Sequence, residues 1–139
     1  MTESRLMNAI TNQQKILLHY SLLYLDQDKA GKVFYNHLME AMPHTKSIFK
    51  DLDFQRQRFI SFLIKAVHTV DEPGKLQMVV KSLSATHSQY NLKPSHFAVM
   101  GEVLIESLAD ALGDKYTPEM DDAWRSLYQC IAKSMLASN

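Results

Sequence analysis

Only four glycines and four prolines punctuate these 139 residues, and this scarcity of breakers constrains the fold more than any other feature. Between the breaks, apolar residues recur with helical period, and strict alternation over strand length is absent. The chain therefore reads as all-α. A polar extension over residues 1–11 precedes a first helix from about Asn12 to Leu25, with Ile16, Leu17, Tyr20, Leu23 and Tyr24 on one side. The second helix, about Asp28 to Ala41, carries Ala30, Val33, Phe34, Leu38 and Met42 at core spacing. Pro43 ends it and suits the first turn of a short third helix, His44 to Phe49. A long helix from about Phe54 to Val70 presents Phe59, Phe62, Leu63, Ala66 and Val67 as a broad stripe.

Glu72-Pro73-Gly74 breaks the pattern before a helix from about Lys75 to Thr86, with Leu76, Val79, Val80 and Leu83 inward. Pro94 opens a helix to Leu112, whose Phe97, Met100, Val103, Leu104 and Leu108 face inward, and Gly113 stops it. Thr117-Pro118-Glu119 starts the last helix, which carries Met120, Trp124, Leu127, Tyr128, Ile131 and Met135.

The length suits one domain, expected over residues 12–139. Fifteen basic and fifteen acidic side chains, well mixed, cancel to a net charge of zero, which leaves no electrostatic footprint for nucleic acid or an anionic membrane. No window approaches the roughly 18 uninterrupted apolar residues of a membrane span, and no N-terminal stretch has the form of a signal peptide. The single Cys130 cannot form an internal disulfide, so a reducing cytoplasm is the expected location.

The usual enzyme signatures are missing: no Gly-rich phosphate loop, no His-Glu-x-x-His and no Cys-x-x-Cys. Cys130 sits mid-helix among core positions and reads as a buried, inert thiol. Asp121 and Asp122 fall in a first helical turn, where they complement the helix dipole. His19, His37, His44, His68 and His96 share no metal-ligand spacing. His87 differs, because it continues the apolar face one i+4 step after Leu83, at a helix end. Periodicity leaves two readings of it. One is a core histidine with its hydrogen bonds satisfied, which is the commoner case. The other is a buried imidazole with one free nitrogen, as an axial iron ligand requires.

Three segments carry a resemblance. The first is Phe34-Tyr35-Asn36-His37-Leu38 with Pro43 and Phe49 after it. The second is His87-Ser88-Gln89-Tyr90-Asn91-Leu92, continued by His96, Phe97 and Gly101. The third is Leu112-Gly113-Asp114, leading through Ala123 and Trp124 to Tyr128. In order and spacing these resemble a bacterial single-domain haemoglobin, similar to the globin domain of flavohaemoglobins, over roughly Asn12 to Met135. The resemblance implies a globin fold around a haem b (iron protoporphyrin IX), with the iron held by His87. It puts Phe49 on the haem edge, with Leu83, Leu92, Phe97 and Met100 in the proximal and inner walls. Tyr35 takes the place of a distal ligand-binding tyrosine. Gln55 takes the distal polar position, with Gln57 the competing candidate, and Phe59 faces the iron one turn later.

Dioxygen on ferrous haem takes on negative charge, so a phenol and an amide hold it by hydrogen bonds while apolar walls exclude water. Three departures stand out: Asn91 replaces a common glycine but tolerates left-handed backbone. Phe97 stands where many relatives have Tyr, and Asn139 stands where a glutamate supports the proximal imidazole.

The implied function is reversible binding of dioxygen, with reaction toward nitric oxide and carbon monoxide, in oxygen transport or nitric oxide detoxification. Turnover as a nitric oxide dioxygenase needs an external reductase, because the sequence ends with the last globin helix. The alternative is a haem-based gas or redox sensor acting through a partner protein. A globin-like signalling domain without haem is opposed by the presence of His87, Phe49 and Tyr35. Monomer and homodimer both remain open.

Overall fold

The computed structural model describes residues 10–87 and 90–137, so most of the expected extension, the Ser88-Gln89 step and Asn139 lie outside the described residues. Among the described residues there are helices and no strand. The order is α1 (Asn12–Tyr24), α2 (Gln27–Ala41), a single 3₁₀ turn (Pro43–Ser47), α3 (Leu52–His68), α4 (Pro73–His87), α5 (Pro94–Leu112), a 3₁₀ turn (Gly113–Lys115) and α6 (Pro118–Ala137). α2 packs on α5, α1 on α6 and α3 on α2, while α4 lies against α3 and α6.

Local chemistry sets most boundaries. Thr11 forms a reciprocal capping box with Gln14. The carboxylates of Asp26 and Asp51 each accept a backbone N–H three residues on, from Lys29 and Phe54, at 3.1 Å. The Asp51 cap starts α3 at Leu52, two residues ahead of the expected Phe54. The Thr117 hydroxyl accepts from the Met120 N–H at 3.1 Å and opens α6. Gly113 closes α5 with φ 56°, a conformation that a side chain disfavours. Asn91, with φ 50°, occupies left-handed backbone as its residue type allows.

Two expectations are corrected at breakers. Pro73 and Gly74 do not precede the fourth helix but form its first turn: Glu72 O accepts from the N–H groups of Lys75 and Leu76 at 2.9 and 3.0 Å. A first turn needs no N–H from proline, so the break is absorbed. The short helix at His44–Phe49 is one 3₁₀ turn from Pro43 to Ser47, tightened by Thr45 Oγ1 donating to Met42 O at 2.7 Å.

A larger correction concerns α1. Its expected core side is mostly outside: Ile16 is 67% and Leu23 78% exposed, and Tyr20 and Tyr24 are also exposed. The helix instead buries Leu18 and Ser21. The cause is a contact 103 residues away in sequence, in which Trp124 Nε1 donates to Ser21 Oγ at 3.0 Å. The Ser21 hydroxyl in turn donates to Leu18 O at 2.7 Å, so neither the indole nor this hydroxyl is left unpaired. A small polar residue lets Trp124 approach, and that face wins over a larger apolar one.

Candidate functional site

The apolar faces of α2, α3, α4, α5 and α6 do not close on one another. They surround a cavity of about 940 Å³, at the upper end of the range of small-molecule sites. Large side chains that would be fully covered in a filled core, including Phe59, Phe62, Leu83 and Met100, are only half-buried because they face this space.

α2 and α3 supply an aromatic frame. Phe34 stacks on Phe59 with ring centroids 4.0 Å apart. Tyr35 meets the rings of Phe34, Phe49 and Phe59 edge-on at 5.2, 5.1 and 6.0 Å. These arrangements suit the ring quadrupoles and hold the tyrosine in one orientation. Its hydroxyl donates to the Gln55 backbone carbonyl at 3.2 Å. Tyr35 is 6% exposed, and burial pushes its hydroxyl up to about 12, with the Arg58 charge pulling the other way. The phenol therefore remains a proton donor across the physiological range.

α4 supplies the imidazole. His87 Nδ1 lies 2.8 Å from Leu83 O. A carbonyl only accepts, so Nδ1 is the donor, and in the neutral ring that leaves the lone pair on Nε2. His87 borders the cavity, with the Tyr90 ring edge-on at 6.3 Å. This geometry ties His87 down at one nitrogen beside the cavity, an arrangement that both readings of the histidine allow.

α5 and α6 close the inner wall. Tyr128 reaches across from α6 and donates to Phe97 O at 2.6 Å. This crossing requires Gly101, where a Cβ would stand 2.7 Å from the Tyr128 ring. Burial pushes the Tyr128 hydroxyl well above the usual tyrosine range. Cys130 is buried and its thiol is likewise pushed up by burial, as an inert core cysteine should be.

The cavity lining brings together His87, Tyr35, Gln55, Gln57, Phe49, Phe59, Leu83, Leu92, Phe97 and Met100. Gln55 is half-buried, whereas Gln57 is exposed and also borders a separate groove with Gln27 and Asp28. Sequence reasoning missed Arg58, which lies on the same α3 face three residues past Gln55 and also borders the cavity. That i+3 spacing was the available signal. It also left out Phe34, the stacking partner of Phe59, as a site residue. Among the described residues no cluster of three His, Cys, Asp or Glu side chains can hold a metal by itself. His87 at a large, mostly apolar cavity, with His44 and His96 also on its border, fits an iron that arrives inside an organic ring, already ligated on four sides. No helix among the described residues is long and apolar enough to cross a membrane.

A family model described as Globin matches residues 32–135. The chain belongs to the globin family, and membership implies haem binding and the binding of a gas at that haem. It is similar to the flavohemoprotein of Bacillus subtilis (strain 168), 29% identical over 107 residues that make up 74% of this chain and 27% of the relative. The flavohemoprotein of Rhizobium meliloti (strain 1021) is 29% identical over 103 residues, 71% of this chain and 26% of that one. The flavohemoprotein of Deinococcus radiodurans is 28% identical over 134 residues, 91% of this chain and 33% of the relative. The chain thus spans about a quarter to a third of the length of these curated relatives.

Proposed function

We propose that this protein binds haem b in the large cavity through His87 Nε2 and takes up dioxygen, with nitric oxide and carbon monoxide as competing ligands. The observation that carries this reading is His87, held through Nδ1 at 2.8 Å from Leu83 O on the border of a cavity of about 940 Å³. When bound, the haem supplies an iron that holds a diatomic gas and passes negative charge to it.

The side chains account for the rest. The Leu83 carbonyl keeps the His87 ring in one orientation and one tautomer, which raises the basicity of the free nitrogen. Phe34, Phe49 and Phe59 exclude water. The Tyr35 hydroxyl turns about its C–O bond, leaves the Gln55 carbonyl and donates to the ligand. Because one hydrogen bond is exchanged for another, only the difference between them slows ligand escape. The Gln55 amide is the second donor, from the same face of α3 as Phe59. Oxygen binding and transport need nothing further. Conversion of nitric oxide and dioxygen to nitrate consumes one electron per turnover, so detoxification calls for a reductase. The relatives' name joins flavin to haem in much longer chains, which supports such a source.

Replacing His87 tests the assignment. His87→Ala should lose most of its haem or retain it only with added imidazole, read from the Soret and visible bands. Stoichiometric haem with an unchanged spectrum would mean that another side chain is the ligand.

A further inference from the structure

The cavity mouth is one-signed. Arg58, Lys65, His44 and His96 border it together with His87, and no aspartate or glutamate is among the lining residues. Of these, Arg58 is the one whose charge is held against an aromatic ring at the cavity border. The described ion pairs do not include it. Its guanidinium carbon instead rests over the Phe54 ring, 5.6 Å from the centroid. Phe54 is itself 51% exposed, so this contact parks the cation at the mouth without neutralising it, and a cation–π contact at an exposed site holds it only weakly. Arg58 stands three residues past Gln55 and one before Phe59, on the α3 face that borders the cavity. Its charge is already felt at the Tyr35 hydroxyl, opposing the effect of burial there.

From this geometry we infer that Arg58 is a positioning residue that admits small anions to the distal side of the cavity, leaving the Phe54 ring to pair with an anion held beside Tyr35. A guanidinium offers a fork of donors to a nitrite- or azide-sized anion, and the apolar aromatic frame around Tyr35 strengthens that pairing by excluding water. A neutral gas draws little on the same charge. The cavity would therefore discriminate two ligand classes by different residues: gases by Tyr35 and Gln55, anions by Arg58. No bond is made or broken at Arg58 in this step.

The inference rests on the haem reading, because a haem spectrum reports the bound anion. Azide is the probe. Ferric holoprotein is titrated with azide and followed at the Soret band, for wild type, Arg58→Gln and Arg58→Lys. Carbon monoxide binding to the ferrous forms and haem transfer to a scavenging apoprotein are measured in parallel. Arg58→Gln should weaken azide by about ten- to a hundredfold, the range of a charge-assisted hydrogen bond. Arg58→Lys should recover much of it, and carbon monoxide affinity and haem transfer should stay unchanged. Unaltered azide affinity in Arg58→Gln overturns the inference. If haem transfer accelerates while azide affinity holds, Arg58 serves a carboxylate of the cofactor instead, and the inference fails. Absence of a Soret band from wild type would overturn the haem reading first, and this inference with it.

Discussion

Two regions of equally apolar composition end in opposite states. Around Leu18, Val67, Leu76 and Leu108 the helices close fully and each of these side chains is at most 1% exposed. Around Phe59, Phe62, Leu83 and Met100 the same kinds of residue stand half-covered about a cavity of about 940 Å³. Side chains facing a void have no partner atoms on one side, so they forfeit much of their dispersion and burial energy. The filled region stabilises the chain by itself, whereas the lining of the cavity would do so fully only together with a ligand that supplies the matching surface. A second tie marks the filled side, where the Trp124–Ser21–Leu18 hydrogen-bond chain fastens α1 to α6.

The largest expected effect separates the two regions directly. Leu108→Ala should cost about 2–5 kcal/mol in a urea titration of the haem-free protein, the range for emptying a closed core site. Phe62→Ala should cost less than the about 3–5 kcal/mol usual for a buried phenylalanine, since one side of the ring already faces space. Its penalty should grow once haem is bound. Equal costs for both substitutions in the haem-free protein would break the comparison.

Tyr35 offers the next test, because its environment decides whether the hollow is dry at that point. Its folded-state hydroxyl is pushed up to about 12 by burial, against 10.0 for an ordinary tyrosine. A group whose value rises on folding contributes stability that is complete below the unfolded value and is lost as pH rises through the folded one. The relevant window is therefore about pH 10 to 12, and two pH units correspond to about 2–3 kcal/mol. Tyr116 and Tyr128 are also raised, so the informative quantity is the difference between wild type and Tyr35→Phe. An identical alkaline decline in both proteins would mean that water already reaches the hydroxyl.

Smaller effects belong to the gas. Tyr35→Phe should speed dioxygen release by about tenfold, equivalent to about 1.4 kcal/mol. The resting bond to Gln55 O offsets part of what the ligand gains, which keeps the figure at the low end for a charge-assisted donor. Carbon monoxide, which carries little negative charge, should be released at nearly the wild-type rate. Gln55→Leu should act in the same direction but by only a few-fold, as a neutral amide donor would. Stopped-flow displacement on the three proteins reads all of this. Equal acceleration for both gases would indicate a steric gate, and an effect of Gln57→Leu in place of Gln55→Leu would move the polar position by two residues.

Most of the fold and much of the candidate site were legible in advance, for a physical reason. Helix starts and stops depend on neighbours within about four residues, so Thr117, Gly113 and Asn91 act where their residue types say they should. The segments around Tyr35 and His87 bring the site residues to one cavity. Where local chemistry had two solutions, as at Pro73, the first-turn position was harder to foresee than the break.

What the sequence by itself determined, then, is the helical class, the Thr117 cap, the Gly113 stop and the histidine on its apolar face. The tertiary structure alone decided which side of α1 is buried, where the Tyr35 hydroxyl rests, which nitrogen of His87 meets the Leu83 carbonyl and that Arg58 borders the cavity. Helix periodicity is a local property, repeated every turn along one chain. A burial face and a hydrogen-bond partner are set by whatever arrives from elsewhere, and for Ser21 that is an indole 103 residues away.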